Sequence, residues 1–301
     1  MWQLLTLLGA LLIGYSVRKL PLKAQLLNQT LFLIVILILF VMGYEFGSST
    51  SDLWGQLALI GKNVLVFGGL LFGFNLFSAN LILAKENRSL RVSNQTCKQA
   101  NYWQFAQESG KYVLIIALGV TTGLIFKQPL SALAQIINLL LFILLFVIGH
   151  QMRVGGVALK DAIFNKTGIK LAATIIVSSL VAGIVAALIL NIPLRQGLML
   201  SSGFGWYTLS SILDSQLINQ EFGTTAFFID FSRELVAIIF LPSLGRYFPV
   251  SLVGYCGGTA MDFSLPIIKQ NLHAQCVILA ISSGMILSLA VPILIPLFAH
   301  F

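Results

Sequence analysis

Charge is scarce in this sequence. Lys, Arg, Asp and Glu make up 9% of its 301 residues, against about 25% in a soluble domain. With 57% hydrophobic residues and a mean hydropathy of +0.93, no soluble fold could keep the apolar surface from water, so the bilayer must be the solvent. Cysteine is nearly missing. Cys97, Cys256 and Cys276 are an odd set without metal-ligand spacing, which argues against a disulfide framework and leaves small-residue packing as their use. Histidine is equally rare, and no His/Cys/Asp cluster has the form of a metal site; metal-ion transport is disfavoured and no cofactor is expected. Basic residues are absent ahead of the first apolar stretch, which starts at Trp2, whereas Arg18, Lys19 and Lys23 follow it. A cleavable signal peptide carries its charges in front, so the expectation is a first span with its N-terminus outside. The net charge of +8 is spread through short gaps between apolar stretches, a pattern that orients a membrane protein and argues against nucleic acid as a partner.

What the sequence does contain is a succession of apolar segments, at 2–17, 27–46, 57–84, 112–127, 130–149, 169–190, 196–213, 226–248, 250–268 and 275–298. A crossing helix needs about 20 apolar residues. Eight segments read as ordinary spans, the first of them short. The other two, 196–213 and 250–268, contain LMLSSGFGWYTLSSIL and SLVGYCGGTAMDFSLPII, too rich in Gly, Ser and Thr to face lipid. Backbone that breaks at membrane depth is tolerated only where protein buries it or it lines a cavity. The predicted fold is therefore an all-α polytopic membrane protein of about eight transmembrane helices plus two broken or re-entrant helices.

Basic residues set the orientation. With the N-terminus outside, one face collects Arg18, Lys19, Lys23, Lys85, Arg88, Arg91, Lys98, Lys111, Arg153, Lys160, Lys166, Lys170, Arg246 and Lys269, and the other only Lys127 and Arg195. The positive-inside rule makes the first face cytoplasmic and puts the C-terminus outside as well. The long polar stretch 85–110 is then a cytoplasmic loop between an N-terminal membrane half, 1–84, and a C-terminal half, 111–301. A repeat supports the division. LFVMGYEF (39–46) matches LFVIGHQM (145–152), and upstream Gly14 and Pro21 have counterparts in Gly123 and Pro129. An odd number of spans separates the copies, so they insert in opposite senses. Inverted repeats with discontinuous helices are the architecture of secondary transporters.

An ionisable residue within a span costs roughly 2.5–3.5 kcal/mol on translocon scales and needs a reason. FFIDFSRELVAIIF holds three. Asp230 and Glu234 stand four apart, on one helix face, and Arg233 is three from Asp230. One reading is a buried ion pair that orients the helix. The other is that Arg233 can fully neutralise only one acid, leaving Glu234, the deeper, available to substrate or proton. Asp262 lies in GGTAMDFSLP, where Gly257 and Gly258 ease unusual backbone angles and Pro266 removes a donor; it caps a half-helix, lines the site, or does both. Around Phe204, Gly203 and Gly205 are followed by Trp206 and Tyr207. A half-helix N-terminus there suits a substrate carboxylate, and the aromatics could stack on a cation or form an interfacial belt. Asn75 is either a lining residue or an interhelical hydrogen bond. Lys62 is expected to snorkel, and Glu45, His150, His273 and His300, near segment ends, to be solvated.

SGFGWYTLS (202–210), AFFIDFSRELVAI (226–238) and CGGTAMDFSLP (256–266) together resemble the bacterial lysine exporter family (LysO type). SLAVPILI (288–295) and LFVIGHQMR (145–153) extend the resemblance, which covers most of the second half and the first half loosely. It implies eight spans in the bacterial inner membrane, both termini periplasmic, and efflux of L-lysine or a related cationic amino acid. It also implies two functional intramembrane acids, which fall on Glu234 and Asp262. Exchange against protons would follow from carboxylates that bind either an ammonium group or a proton, with Asp230 and Arg233 orienting them and the backbone of Gly203–Tyr207 holding the substrate's carboxylate. A passive channel is the rival reading. An intramembrane aspartyl protease is a more distant one, since Trp206 follows Gly203–Phe204–Gly205 where its GxGD signature needs Asp. Protein partners are left open, a homodimer being one arrangement.

Overall fold

The computed structural model describes residues 9–10, 12–17, 24–49, 53–91, 102–126, 139–140, 142–143, 146–147, 150, 165–261 and 263–300. Among them every regular element is helical: α1 (Ala24–Ser49), α2 (Leu53–Ile82), α3 (Ala84–Ser89), α4 (Tyr102–Phe126), α5 (Lys166–Leu190), α6 (Leu194–Ser201), α7 (Tyr207–Leu217), α8 (Gln220–Leu244), α9 (Pro249–Cys256), a 3-10 turn (Gly257–Met261), α10 (Leu265–Asn271) and α11 (Ala274–Ala299). Among the described residues three helices are long and apolar enough to cross a membrane, at Trp54–Ile82, Lys166–Leu190 and Ala274–Ala299. The chain is a multi-pass membrane protein. α8 has comparable length but carries Asp230, Arg233 and Glu234 inward. Helix also covers both ends of the polar stretch 85–110, through α3 and the start of α4.

Helix limits follow local chemistry. Asn165 accepts the Gly168 N–H at 3.0 Å and starts α5; Asn219 accepts that of Phe222 at 2.9 Å and starts α8, as N-caps do. Asn191 ends α5 in the left-handed region at φ 54°, ahead of Pro193, which cannot continue the helix. α1 and α4 cross backbone to backbone. Gly43 and Gly47 sit against the carbonyls of Ile116 and Val120, and Gly119 and Gly123 against those of Phe40 and Tyr44. With no hydrophobic drive between helices in lipid, such close approach of small residues is what holds them.

The two segments expected to break do so, α6–α7 at 202–206 and α9–α10 through the 3-10 turn. Both pieces of each return to the end of the bundle they came from. One cavity is lined by Leu59, Asn63, Ile192, Gln196, Asn219 and Glu221, so the start of α6 and the end of α7 share the N-terminal end of α2. At the other end, Asn87 accepts the Val250 N–H at 2.9 Å and Arg91 donates to the Tyr247 carbonyl at 2.9 Å. A side chain at Gly245, before α9, would strike Leu272, after α10. The hairpins therefore enter from opposite ends, α6–α7 beside α5 and α9–α10 beside α2, and their tips meet inside.

Candidate functional site

The meeting point is built on one face of α8. Asp230, Arg233 and Glu234 are each 1% exposed, and Arg233 ranks first among the largest fully buried side chains. Asp230 holds the first hairpin: its Oδ1 accepts the Gly205 N–H at 2.8 Å and its Oδ2 the Ser210 hydroxyl at 2.5 Å. The acid thus spans the break, bonding the loop on one side and α7 on the other. Arg233 holds the second hairpin, its Nε donating to the Tyr255 carbonyl at 2.7 Å with Cζ 5.2 Å from the centre of the Tyr255 ring, a cation–π contact. The tips are tied directly, since the Gly258 N–H donates to the Phe204 carbonyl at 2.9 Å.

The glycines are there because nothing larger fits. A Cβ on Gly203 would collide with the Asp230 carboxylate, and one on Gly257 with the Phe204 carbonyl. Gly205 and Gly257 have φ of 84° and 68°, and Phe204 itself sits at 45°. Positive φ is a region L-residues seldom adopt, so the loop is formed under strain that the Asp230 bonds offset.

Sequence expectations meet this geometry unevenly. Asp230 is buried, and among the described residues no ion pair joins it to Arg233, whereas Lys170 and Glu86 are paired at 3.8 Å. Gly205 N–H, expected to face a ligand, is taken by Asp230. Tyr207 is buried edge-on against Phe227 and Phe231, at 5.3 and 5.8 Å between ring centroids, and Trp206 packs on the core. Asn75 is an interhelical bond, accepting the Ser178 and Ser179 hydroxyls at 2.6 and 3.1 Å. Lys62, His273 and His300 are exposed, but His150 is not solvated. It is 4% exposed, with Nδ1 3.0 Å from the Val17 carbonyl, because Gly14 lets its helix close onto the Phe146 backbone. Asp262 and the Glu45 side chain lie outside the described residues. Cys256 and Cys276 are buried thiols without a disulfide.

Hydropathy and motif spacing pass over three residues. Ser210 and Tyr255 are the hairpins' attachment points to α8, and neither type stands out in an apolar segment. Asp214 is fully buried on α7, and among the described residues neither carboxylate oxygen has a hydrogen-bond partner. It lies one residue past the segment ending at 213, and an acid so placed is a signal open to reading.

The family model for the lysine exporter LysO matches residues 113–299. The chain is 35% identical over 300 residues to the lysine exporter LysO of Escherichia coli (strain K12), covering 98% of both chains. It is 34% identical over 186 residues to a provisionally named lysine exporter of Haemophilus influenzae, covering 62% of this chain and 95% of that one. No solved structure matches significantly.

Proposed function

The chain belongs to the lysine exporter family, and from that premise we propose that it moves L-lysine, or a closely related cationic amino acid, out of the cytoplasm in exchange for protons. The observation that carries this reading is the meeting of two broken hairpins, from opposite ends of the bundle, on the buried charged face of α8. Discontinuous helices that converge at the midplane provide unpaired backbone and charged side chains there, which is how secondary transporters build substrate and ion sites. Glu234 on α8 and Asp262, which follows the 3-10 turn in sequence, are the carboxylates that take substrate ammonium or proton in turn. Asp230 and Arg233 fix the hairpins around them.

The energetics favour exchange. Export of a cation works against an inside-negative potential by ~2.3 kcal/mol per charge per 100 mV. One incoming proton cancels that electrical cost and leaves the pH gradient as drive. In this reading eight spans and two re-entrant hairpins lie in the inner membrane with both termini periplasmic, and halves 1–84 and 111–301 flank the loop 85–110.

Contacts between the first copies support an inverted repeat. The repeat pairs Phe40 with Phe146; Gly119 packs on the backbone of Phe40, and Gly14 on that of Phe146. Each copy's leading helix crosses the other copy's second helix, so exchanging the copies carries one contact into the other. By contact the counterpart of Gly14 is Gly119, one turn before the Gly123 that spacing picks out.

Proteoliposomes loaded with radiolabelled lysine and given an inward proton gradient test the proposal. Efflux should follow the gradient and be lost in E234Q and in D262N while both variants still insert. Normal efflux from both variants would sink the carboxylate scheme. Lysine efflux indifferent to the gradient would instead favour a channel.

A further inference from the structure

Four buried donor groups around α8 have no hydrogen-bond partner among the described residues: Nη1 and Nη2 of Arg233, Oη of Tyr255 and Nδ2 of Asn75. They come from three elements that touch one another. The Arg233 guanidinium lies over the Tyr255 ring, and that ring stands edge-on to Phe72, 5.0 Å between centroids. Phe72 is one turn from Asn75 on α2. No protein acid among the described residues bonds to this group. Asp230 acts on Arg233 only through space, its oxygens engaged by Gly205 and Ser210. Of the Arg233 nitrogens only Nε is used, on the Tyr255 carbonyl. A buried charge stays costly until its remaining protons are satisfied, and the outer edge of a guanidinium is a two-pronged donor whose natural complement is a carboxylate.

We infer that the unpartnered Arg233 fork, with Tyr255 beside it, receives the α-carboxylate of the transported amino acid. The assignment rests on the export reading above and deepens it. It places the carboxylate on a side chain, not on the Gly203–Tyr207 backbone, whose Gly205 donor is already occupied. It also divides the labour of recognition: the fork demands an amino acid, while the acids demand a cation. Lysine, ornithine and arginine satisfy the fork equally. A diamine with the same ammonium end, or an amino acid whose carboxyl is esterified, does not.

The test is competition against radiolabelled lysine counterflow in proteoliposomes of the full-length protein, using unlabelled lysine, lysine methyl ester and cadaverine. A site built to bond a group rejects analogues that lack it by large factors, so the ester and cadaverine should compete at least ~100-fold more weakly than lysine. Arg233→Lys keeps the charge but not the fork, and it should bring lysine and cadaverine to within about 10-fold of each other. A merely structural arginine would lower transport without moving that ratio. Should R233K fail to insert, the wild-type series decides alone. Competition by cadaverine or the ester within a few-fold of lysine, with lysine still transported, overturns the fork and leaves the export reading standing. No lysine movement by the wild type overturns the export reading and this assignment with it.

Discussion

At the residue scale, the site depends on how little room Asp230 leaves. Gly203→Ala places a methyl in collision with a carboxylate fixed by two bonds. Relief requires giving up the Gly205 or Ser210 bond, and bonds to a charged group are worth about 1.5–3 kcal/mol each. We expect G203A to lower the thermal midpoint in detergent by several degrees and to abolish lysine efflux. Gly73, with nothing within 4 Å of its Cβ position, is the control. Alanine there should leave efflux unchanged and stabilise α2 by about 0.4–1 kcal/mol through the unfolded chain. Asp214 offers the opposite sign. Its carboxyl is fully buried and has no hydrogen-bond partner among the described residues, and an unmatched buried polar group costs about 1–3 kcal/mol. Asp214→Val, which replaces the carboxyl by an apolar group nearer its size, should therefore raise the midpoint. A fall would mean the carboxyl has a stabilising role that its surroundings do not reveal. Asp230, Arg233 and Glu234 were legible because an ionisable group in an apolar run is too costly to be incidental. What each one holds was not legible, since Ser210 and Tyr255 become partners only once the breaks turn their helices toward α8.

Among the elements, the apolar segments that fall on described residues translate into helices with small shifts whose causes are local. The span expected from 226 starts at Gln220 because Asn219 caps it and Glu221 sits in its first turn, features that hydropathy does not register but cap chemistry does. The breaks were legible for a firmer reason. Glycine clusters at 203–205 and 257–258 have no use in a lipid-facing helix, and the positive φ of Gly205 and Gly257 shows the use they have. Which way each half-helix turns after its break could not be read, because a crossing and a return bury the same residues. The α1–α4 crossing supplies an element-scale prediction. Gly119→Leu would drive a side chain into the Phe40 carbonyl, so the helices must separate. We expect the variant to lose its folded fraction in detergent, measured by size-exclusion profile, while Gly61→Leu, facing open space, keeps it.

For the whole molecule the decisive feature is that each hairpin leaves by the end it entered. If both broken segments crossed fully, Arg246 alone would change sides, so basic residues favour returning hairpins by a single side chain. The structure adds physical reasons. Asn219 and Gln196 line one cavity with the N-terminal end of α2, whereas Arg91, just past α3, reaches the Tyr247 carbonyl at the far end. Single cysteines in a background with Cys97, Cys256 and Cys276 replaced by Ser make this measurable with a membrane-impermeant maleimide. Arg195→Cys and Asn219→Cys flank the first hairpin, and Tyr247→Cys and His273→Cys the second, all at exposed positions. The first two should react in intact spheroplasts and the last two only in inverted vesicles, because the positive-inside rule assigns the α2 C-terminal end to the cytoplasm. The pairing matters more than the sidedness. If all four swapped sides together, the orientation would be wrong and the hairpins right. If Arg195→Cys and Asn219→Cys reacted from opposite sides, α6–α7 would cross the membrane, α8 would reverse, and the tips could no longer approach Asp230 and Arg233 from opposite faces. An access pathway to each side of those residues requires the two hairpins to stay on their own sides, each able to open without the other, and that is the condition alternating access sets.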